Sequence, residues 1–165
     1  MATQNVLTTL KREHDQISDL FKKLKETGDR AEKTRGTLLE EILTGLIPHA
    51  KWEEEVFYPE FRKRADRDGQ QTHAEAVEEH RAVERQVIPD VLEADLTTPE
   101  FAGRAKVFGE FVEHHAKEEE KTMFKMAREL FSAEELASLD EEYANWKEVK
   151  GPQVIQQAMA EFSAR

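Results

Sequence analysis

Two stretches of the chain repeat one phrase, His49-Ala50-Lys51-Trp52-Glu53-Glu54 and His115-Ala116-Lys117-Glu118-Glu119-Glu120. In each, a histidine and a glutamate stand four residues apart, a spacing that on a helix places an imidazole and a carboxylate on one face. Each pair is a chelating unit. A third His-x-x-x-Glu, His80 with Glu84, lacks the rest of the phrase, and His14 stands alone in an apolar stripe. Burying four imidazoles and three carboxylates in one layer would cost on the order of several kcal/mol per charge unless they were neutralised or held by a strong cation.

The donor set narrows the choice of cation. Four histidines with two or three glutamates are too many ligands for one tetrahedral zinc and too rich in nitrogen for magnesium or calcium. Two transition ions fit better, and imidazole with carboxylate suits iron or manganese, with carboxylates bridging between two ions. A polar network or a water-filled bundle end is the alternative reading of the same layer. The ferritin-like di-iron class would show Glu-x-x-His, and none of the six histidines has a glutamate three residues before it.

Helical stripes must carry these groups. Leu7, Leu10, His14, Ile17, Phe21 and Leu24 recur at spacings of three and four, as do Leu39, Ile42, Leu46, His49, Glu53 and Val56. A third stripe runs His73, Val77, His80, Glu84, Val87, Val91, and a fourth Phe101, Phe108, Phe111, His115, Glu119, Met123, Met126, Leu130. This periodicity is that of amphipathic helices facing a core. Turn signals "TGDR" (27–30), "DRDGQ" (66–70) and "DLTTPE" (95–100) separate four of them. In an antiparallel arrangement, groups at one height are equidistant from the intervening turn. The halfway points between consecutive His/Glu groups fall between residues 32 and 33, 66 and 67, and 99 and 100, in or close to those turns. The expected fold is therefore all-α, an up-down-up-down four-helix bundle over residues 1–131. Residues 132–165 are expected to form a short helical extension, opened by a capping box at Ser132-Ala133-Glu134-Glu135, stopped by Gly151-Pro152, and packed on the bundle or on a partner.

The same stripes assign the lesser residues. His115 is expected inward and His114 at the rim, with His73 about 10 Å along the axis from the metal layer, at two helical turns. Phe57, Phe108, Phe111 and Met123 should wall a pocket, while Tyr58 should point outward. Pro48 and Pro89 fall inside helices and should kink them beside site residues.

Composition sets the outer limits. The net charge of −11 disfavours a nucleic-acid partner, and the absence of cysteine excludes disulfides, zinc thiolates and iron–sulfur clusters. No apolar run is long enough to span a bilayer, and the start has no apolar leader, so a cytoplasmic protein, a monomer or weak homodimer without a membrane partner, is expected.

"REHDQI" around His14, "HAKWEEEVFYP" from His49, "EEHRAVE" around His80 and "HHAKEEEKTMF" from His114 together resemble the hemerythrin-like HHE cation-binding family, over roughly residues 5 to 131. The resemblance implies a four-helix bundle around two non-haem iron ions (Fe2+/Fe3+) with an oxo or hydroxo bridge. His14, His49, His80 and His115 would be the nitrogen ligands, and Glu53 and Glu119 the bridging carboxylates. Oxygen-carrying hemerythrins place a second histidine one turn after the first on the third helix, where this sequence has Glu84. An anionic ligand there would favour ferric iron and disfavour reversible oxygen carriage. The function expected is handling of a small oxidant, hydrogen peroxide, nitric oxide or dioxygen, in oxidative or nitrosative stress defence, with catalase-like peroxide disproportionation as the simplest enzymatic form. A sensor or storage module for oxygen or iron is the alternative.

Overall fold

The computed structural model describes residues 4–164. Residues 1–3 of the expected first unit and Arg165 of the second lie outside the described residues. Five helices follow one another: α1 (Val6–Lys25), α2 (32–64), α3 (67–93), α4 (99–130) and α5 (Ala133–Ser163), with no strand among the described residues.

Side-chain caps open four of the five. Asn5 accepts from the Thr8 N–H, Asp66 from Gly69, Thr98 from Phe101 with Pro99 in the first turn, and Ser132 forms a reciprocal capping box with Glu135. Each satisfies backbone donors that a helix start leaves unpaired. The expected "DRDGQ" turn is shorter than its sequence suggests, because Asp66 is already the cap and Gly69 lies in the first turn of α3. At one end of the molecule the buried Arg35 guanidinium ties two connections together, donating to the carbonyls of Thr27 and Leu96 and pairing with Asp29.

Three helices contain a π segment at a common level of the molecule: Glu53–Phe57 in α2, Val83–Val87 in α3 and Glu119–Met123 in α4. In each, the N–H that follows the segment reaches back five residues, from Tyr58 to Glu53, Ile88 to Val83 and Phe124 to Glu119. Such a segment inserts one residue and turns everything beyond it by about 100° relative to an unbroken α-helix. Past the insertion, the fully buried positions are therefore Tyr58 and Phe61, Ile88 and Val91, Phe124 and Ala127. Val56, Val87, Met126 and Leu130, which the uninterrupted stripes had placed in the core, are half-buried.

Prolines mark two of these insertions. Pro59 and Pro89 each stand six residues after the first residue of a π segment. The wider turn there removes the need for an N–H bonded four residues back and relieves the clash of the ring with that carbonyl.

Two apolar cores flank a polar layer. One gathers Leu10, Trp52, Phe57, Phe61, Phe124, Tyr143 and Trp146, and the other Ile42, Leu43, Ile88, Phe101, Phe108 and Phe162. α5 contributes to both, lying along α1 and α2. It is 31 residues long rather than short, and it runs through Gly151-Pro152 without stopping. A residue before proline is driven out of the helical region partly by its own Cβ, which Gly151 lacks. Burial of Tyr143 and Trp146 before the pair and of Ala158 and Phe162 after it holds the helix through the break signal. No helix among the described residues is long and apolar enough to cross a membrane.

Candidate metal centre

The polar layer is built from four helices. His14 comes from α1, His49 and Glu53 from α2, His80 from α3, and His115 and Glu119 from α4; His115 is about one-eighth exposed and the other five are buried. Each glutamate is the first residue of its π segment. The His-x-x-x-Glu pairs therefore lie within ordinary helix and keep the one-face geometry that their spacing implies.

These six side chains form two half-sites that share both carboxylates. His14 Nε2 and His49 Nε2 are 3.1 Å apart, with Glu53 Oε1 at 3.0 Å from His49 and Glu119 Oε1 at 3.5 Å from His14. His80 Nε2 and His115 Nε2 are 3.0 Å apart, with Glu53 Oε2 at 3.4 Å from His80 and Glu119 Oε2 at 3.5 Å from His115. Each glutamate thus gives one oxygen to each half.

Tyr58 joins the second half-site. It is fully buried, and its hydroxyl donates to Glu119 Oε2, while lying 3.4 Å from Glu53 Oε2, 3.2 Å from His80 Nε2 and 3.3 Å from His115 Nε2. The expectation that it points outward is corrected by the π segment. Five α-helical steps from Glu53 would carry Tyr58 about 140° away, and the inserted residue brings it back to the face of Glu53.

Glu84 is not among the convergent groups. Its carboxylate lies 3.4 Å from Lys51 Nζ, with about a third of each side chain exposed. His114 is exposed, and His73 is half-buried, its ring 6.0 Å from that of Tyr58.

Behind the imidazoles stand four carboxylates that the sequence stripes had not revealed. Glu13 of α1 accepts from His49 Nδ1 of α2 at 2.8 Å, and Glu54 of α2 from His80 Nδ1 of α3 at 2.9 Å. Glu79 of α3 lies 3.4 Å from His115 Nδ1 of α4 without forming a hydrogen bond, and Glu120 of α4 accepts from His14 Nδ1 of α1 at 3.1 Å. Each carboxylate is next in sequence to a residue of the inner set, in the pairs Glu13-His14, Glu53-Glu54, Glu79-His80 and Glu119-Glu120. Those doublets were the signal available. A carboxylate at Nδ1 fixes the tautomer and turns Nε2 inward as a lone-pair donor.

The charges respond to one another. Against burial, the Glu53 and Glu13 carboxylates lift the His49 pKa to about 10, and Glu119 and Glu79 lift that of His115 to about 10. Burial and the neighbouring His49 push His14 down. Glu53, although buried, is held well below the usual carboxylate range by His49 and His80, and burial together with Glu119 and Glu53 pushes the Tyr58 phenol well above its ordinary value.

The residues fit a pair of cations. Glu53 Oε1 and Glu119 Oε1 are buried without a hydrogen-bond partner, and in each half-site two imidazole Nε2 atoms point at one another. A buried acceptor left unpaired costs about 1–3 kcal/mol. A cation in each half-site would satisfy all of them, and nitrogen with carboxylate oxygen suits iron or manganese.

Beside the layer lies a cavity of about 70 Å³, walled by Ile17, Leu46, Ile47, Val83, Ile88 and Val112 and reached by Lys51, Glu84 and Phe162. Phe57, Phe108 and Met123 are buried in the two cores instead of lining it, and Phe111 is 44% exposed. On α4 the buried positions before the π segment are Phe101 and Phe108 of the aromatic stripe together with Ala105 and Ala116, which the stripe had passed over.

Residues 5–127 match the hemerythrin HHE cation binding domain. The chain belongs to that family. A solved structure of a hemerythrin HHE cation binding domain-containing protein from Mycobacterium kansasii superposes with a TM-score of 0.75 at 25% identity, covering 94% of this chain and 99% of that one. A protein of Nostoc sp. named DNA nickase is 28% identical over 134 residues, which are 79% of this chain. The chain spans only 36% of that relative's length. The hemerythrin HHE match ends before α5, which nevertheless packs into both cores.

Proposed function

We propose that the protein is a non-haem di-iron member of the hemerythrin HHE family that handles a small oxidant, with disproportionation of hydrogen peroxide as its activity. The observation that carries this reading is the sharing of Glu53 and Glu119, each with one oxygen toward His14 and His49 and the other toward His80 and His115. One iron would be held by His14, His49 and the two carboxylates, the other by His80, His115, the same carboxylates and the Tyr58 oxygen.

Two irons held there would supply and accept the two electrons that reduce one peroxide to water and oxidise a second to dioxygen, so no outside reductant would be consumed. The chain's own residues set the conditions. Glu13, Glu54 and Glu120 orient the imidazoles that they hold at Nδ1, and the cavity of about 70 Å³ leaves room for a molecule of two heavy atoms. Lys51 and Glu84, paired at the cavity's edge, can pass protons between solvent and the interior. The buried Tyr58 oxygen would offer the second iron a hard donor that favours the ferric state, a preference that suits turnover better than reversible oxygen carriage. The bundle of α1 to α4 forms the catalytic body in this reading. The net charge of −11 disfavours a polyanionic substrate such as DNA.

The test is metal analysis of protein expressed with added iron, followed by measurement of dioxygen released from added peroxide. About two irons per chain and dioxygen release lost in Glu53→Gln support the proposal. Two irons without release would return the protein to the sensor or storage reading, and one zinc per chain would end the di-iron reading.

A further inference from the structure

The four carboxylates behind the imidazoles are not held alike. Glu54 is paired with Lys51 and Glu120 with Lys11, both from the helices that carry the site. Glu13 is the least exposed of the four, and its further partners come from α5: Tyr143 Oη donates to Oε2 at 2.7 Å and Lys147 Nζ to Oε1 at 2.5 Å.

The contact has a regular build. Asp140, Tyr143 and Lys147 stand at helical spacing on one face of α5, against Thr9 and Glu13 one turn apart on α1, and Thr9 Oγ1 donates to Asp140 at 2.5 Å. The Tyr143 ring lies 4.5 Å from that of Trp52, the residue before Glu53, and Lys147 Nζ sits 4.4 Å from the Tyr143 ring centre. A carboxylate offers about four acceptor positions. Tyr143 and His49 Nδ1 meet at Oε2 while Lys147 holds Oε1, so both α5 donors bear on the oxygen pair that faces His49.

We infer that Tyr143 and Lys147 are positioning residues of the metal centre: they lock Glu13 against His49 and so set the affinity of the His14/His49 half-site, leaving the His80/His115 half-site untouched. The inference rests on the di-iron reading and deepens it. It gives α5, which lies beyond the matched family domain, a role in the chemistry of one iron. A carboxylate behind a metal-bound histidine is typically worth about 10–100-fold in metal affinity, and the effect here should fall on one half-site.

The test uses the full chain, stripped of metal and titrated anaerobically with ferrous ion. His14→Ala and His80→Ala identify which binding phase belongs to which half-site. Tyr143→Phe with Lys147→Met should weaken the His14/His49 phase about 10–100-fold and leave the other unchanged, and in the ferric protein should alter the Mössbauer signal of one iron. Lys147→Arg with Tyr143 intact should restore wild-type binding. Leu136→Ala, a core truncation on the same helix, should lower thermal stability without separating the phases. Equal weakening of both phases, no weakening, or selective loss in Leu136→Ala would overturn the positioning role. Fewer than two ferrous ions bound by the wild type would remove the di-iron reading, and this inference with it.

Discussion

Tyr58 stands five residues after Glu53, yet its hydroxyl lies 3.4 Å from Glu53 Oε2. On an unbroken α-helix the two would face directions about 140° apart. The π segment Glu53–Phe57 closes that angle, and the same device recurs at Val83–Val87 and Glu119–Met123. Three insertions at one level let each helix present its site groups up to the insertion and turn Tyr58, Ile88 and Phe124 inward after it. Insertions of this kind gather at functional sites.

Tyr58→Phe tests what the hydroxyl contributes. The ring is retained in the core, so the metal-free protein should lose no more than about 1–3 kcal/mol, the worth of hydrogen bonds to a buried charged acceptor. With iron bound, the variant should lose any visible absorption that arises from a phenol oxygen on ferric iron, and should reoxidise more slowly in air after reduction. Stopped-flow absorption of reduced wild type and variant mixed with oxygen measures both. An unchanged spectrum and rate would remove Tyr58 from the iron.

The residues legible in sequence were those on the near side of each insertion. His49 with Glu53 and His115 with Glu119 end where the π segments begin, so the four-residue rule held for them. Beyond that point the rule slipped by one residue, sending Tyr58 outward and choosing Val56, Val87 and Met126 over Tyr58, Ile88 and Phe124. Pro59 and Pro89 were the available marks of two insertions, whereas Glu119–Met123 carries no proline. Glu84 was misplaced for a different reason: its helical spacing from His80 is correct, but Lys51 offers its carboxylate a cation at the edge of the cavity. The length of α5 was hidden because Gly151-Pro152 reads locally as a stop, and only packing into two cores overrides it.

Glu53→Gln and Glu84→Gln should separate. Replacing one carboxylate oxygen of Glu53 removes a donor and a negative charge from both half-sites at once, so iron content should fall below two per chain. Glu84→Gln removes only a half-exposed pair with Lys51, worth about 0–1 kcal/mol, and should leave iron content unchanged. Elemental analysis of the two variants purified side by side decides. Equal loss from both would restore Glu84 as a ligand.

Two glycines of helical segments should respond with opposite sign. A Cβ at Gly69 would sit 2.6 Å from the Ala65 Cβ, an atom fixed to the backbone, so Gly69→Ala must shift the α2–α3 connection. The expected cost is about 1–3 kcal/mol, typical of overpacking. At Gly103 nothing lies within 4 Å, and Gly103→Ala should stabilise by about 0.5–1 kcal/mol through helix propensity alone. Denaturant melts of both variants check the pair.

In the metal-free protein the pKa values of His49 and His115 are raised to about 10 from 6.5, so their contribution to stability is fully present below pH 6.5 and is lost as the pH rises through 10. Glu13, held at about 2 against its burial by the hydrogen bond and charge of His49, contributes stability that is present above its ordinary 4.5 and is lost as the pH falls through 2. Metal-free protein should therefore melt highest between about pH 4.5 and 6.5 and decline on both sides. Cations bound at Nε2 take the place of those protons, so loading should release protons near neutral pH and abolish the decline on the alkaline side. Melting temperature against pH, measured with chelator and with iron, together with proton release during ferrous titration in weak buffer, gives the answer. A metal-free protein as stable at pH 9 as at pH 6, or loading without proton release, would show that the two imidazoles are neutral in the folded chain.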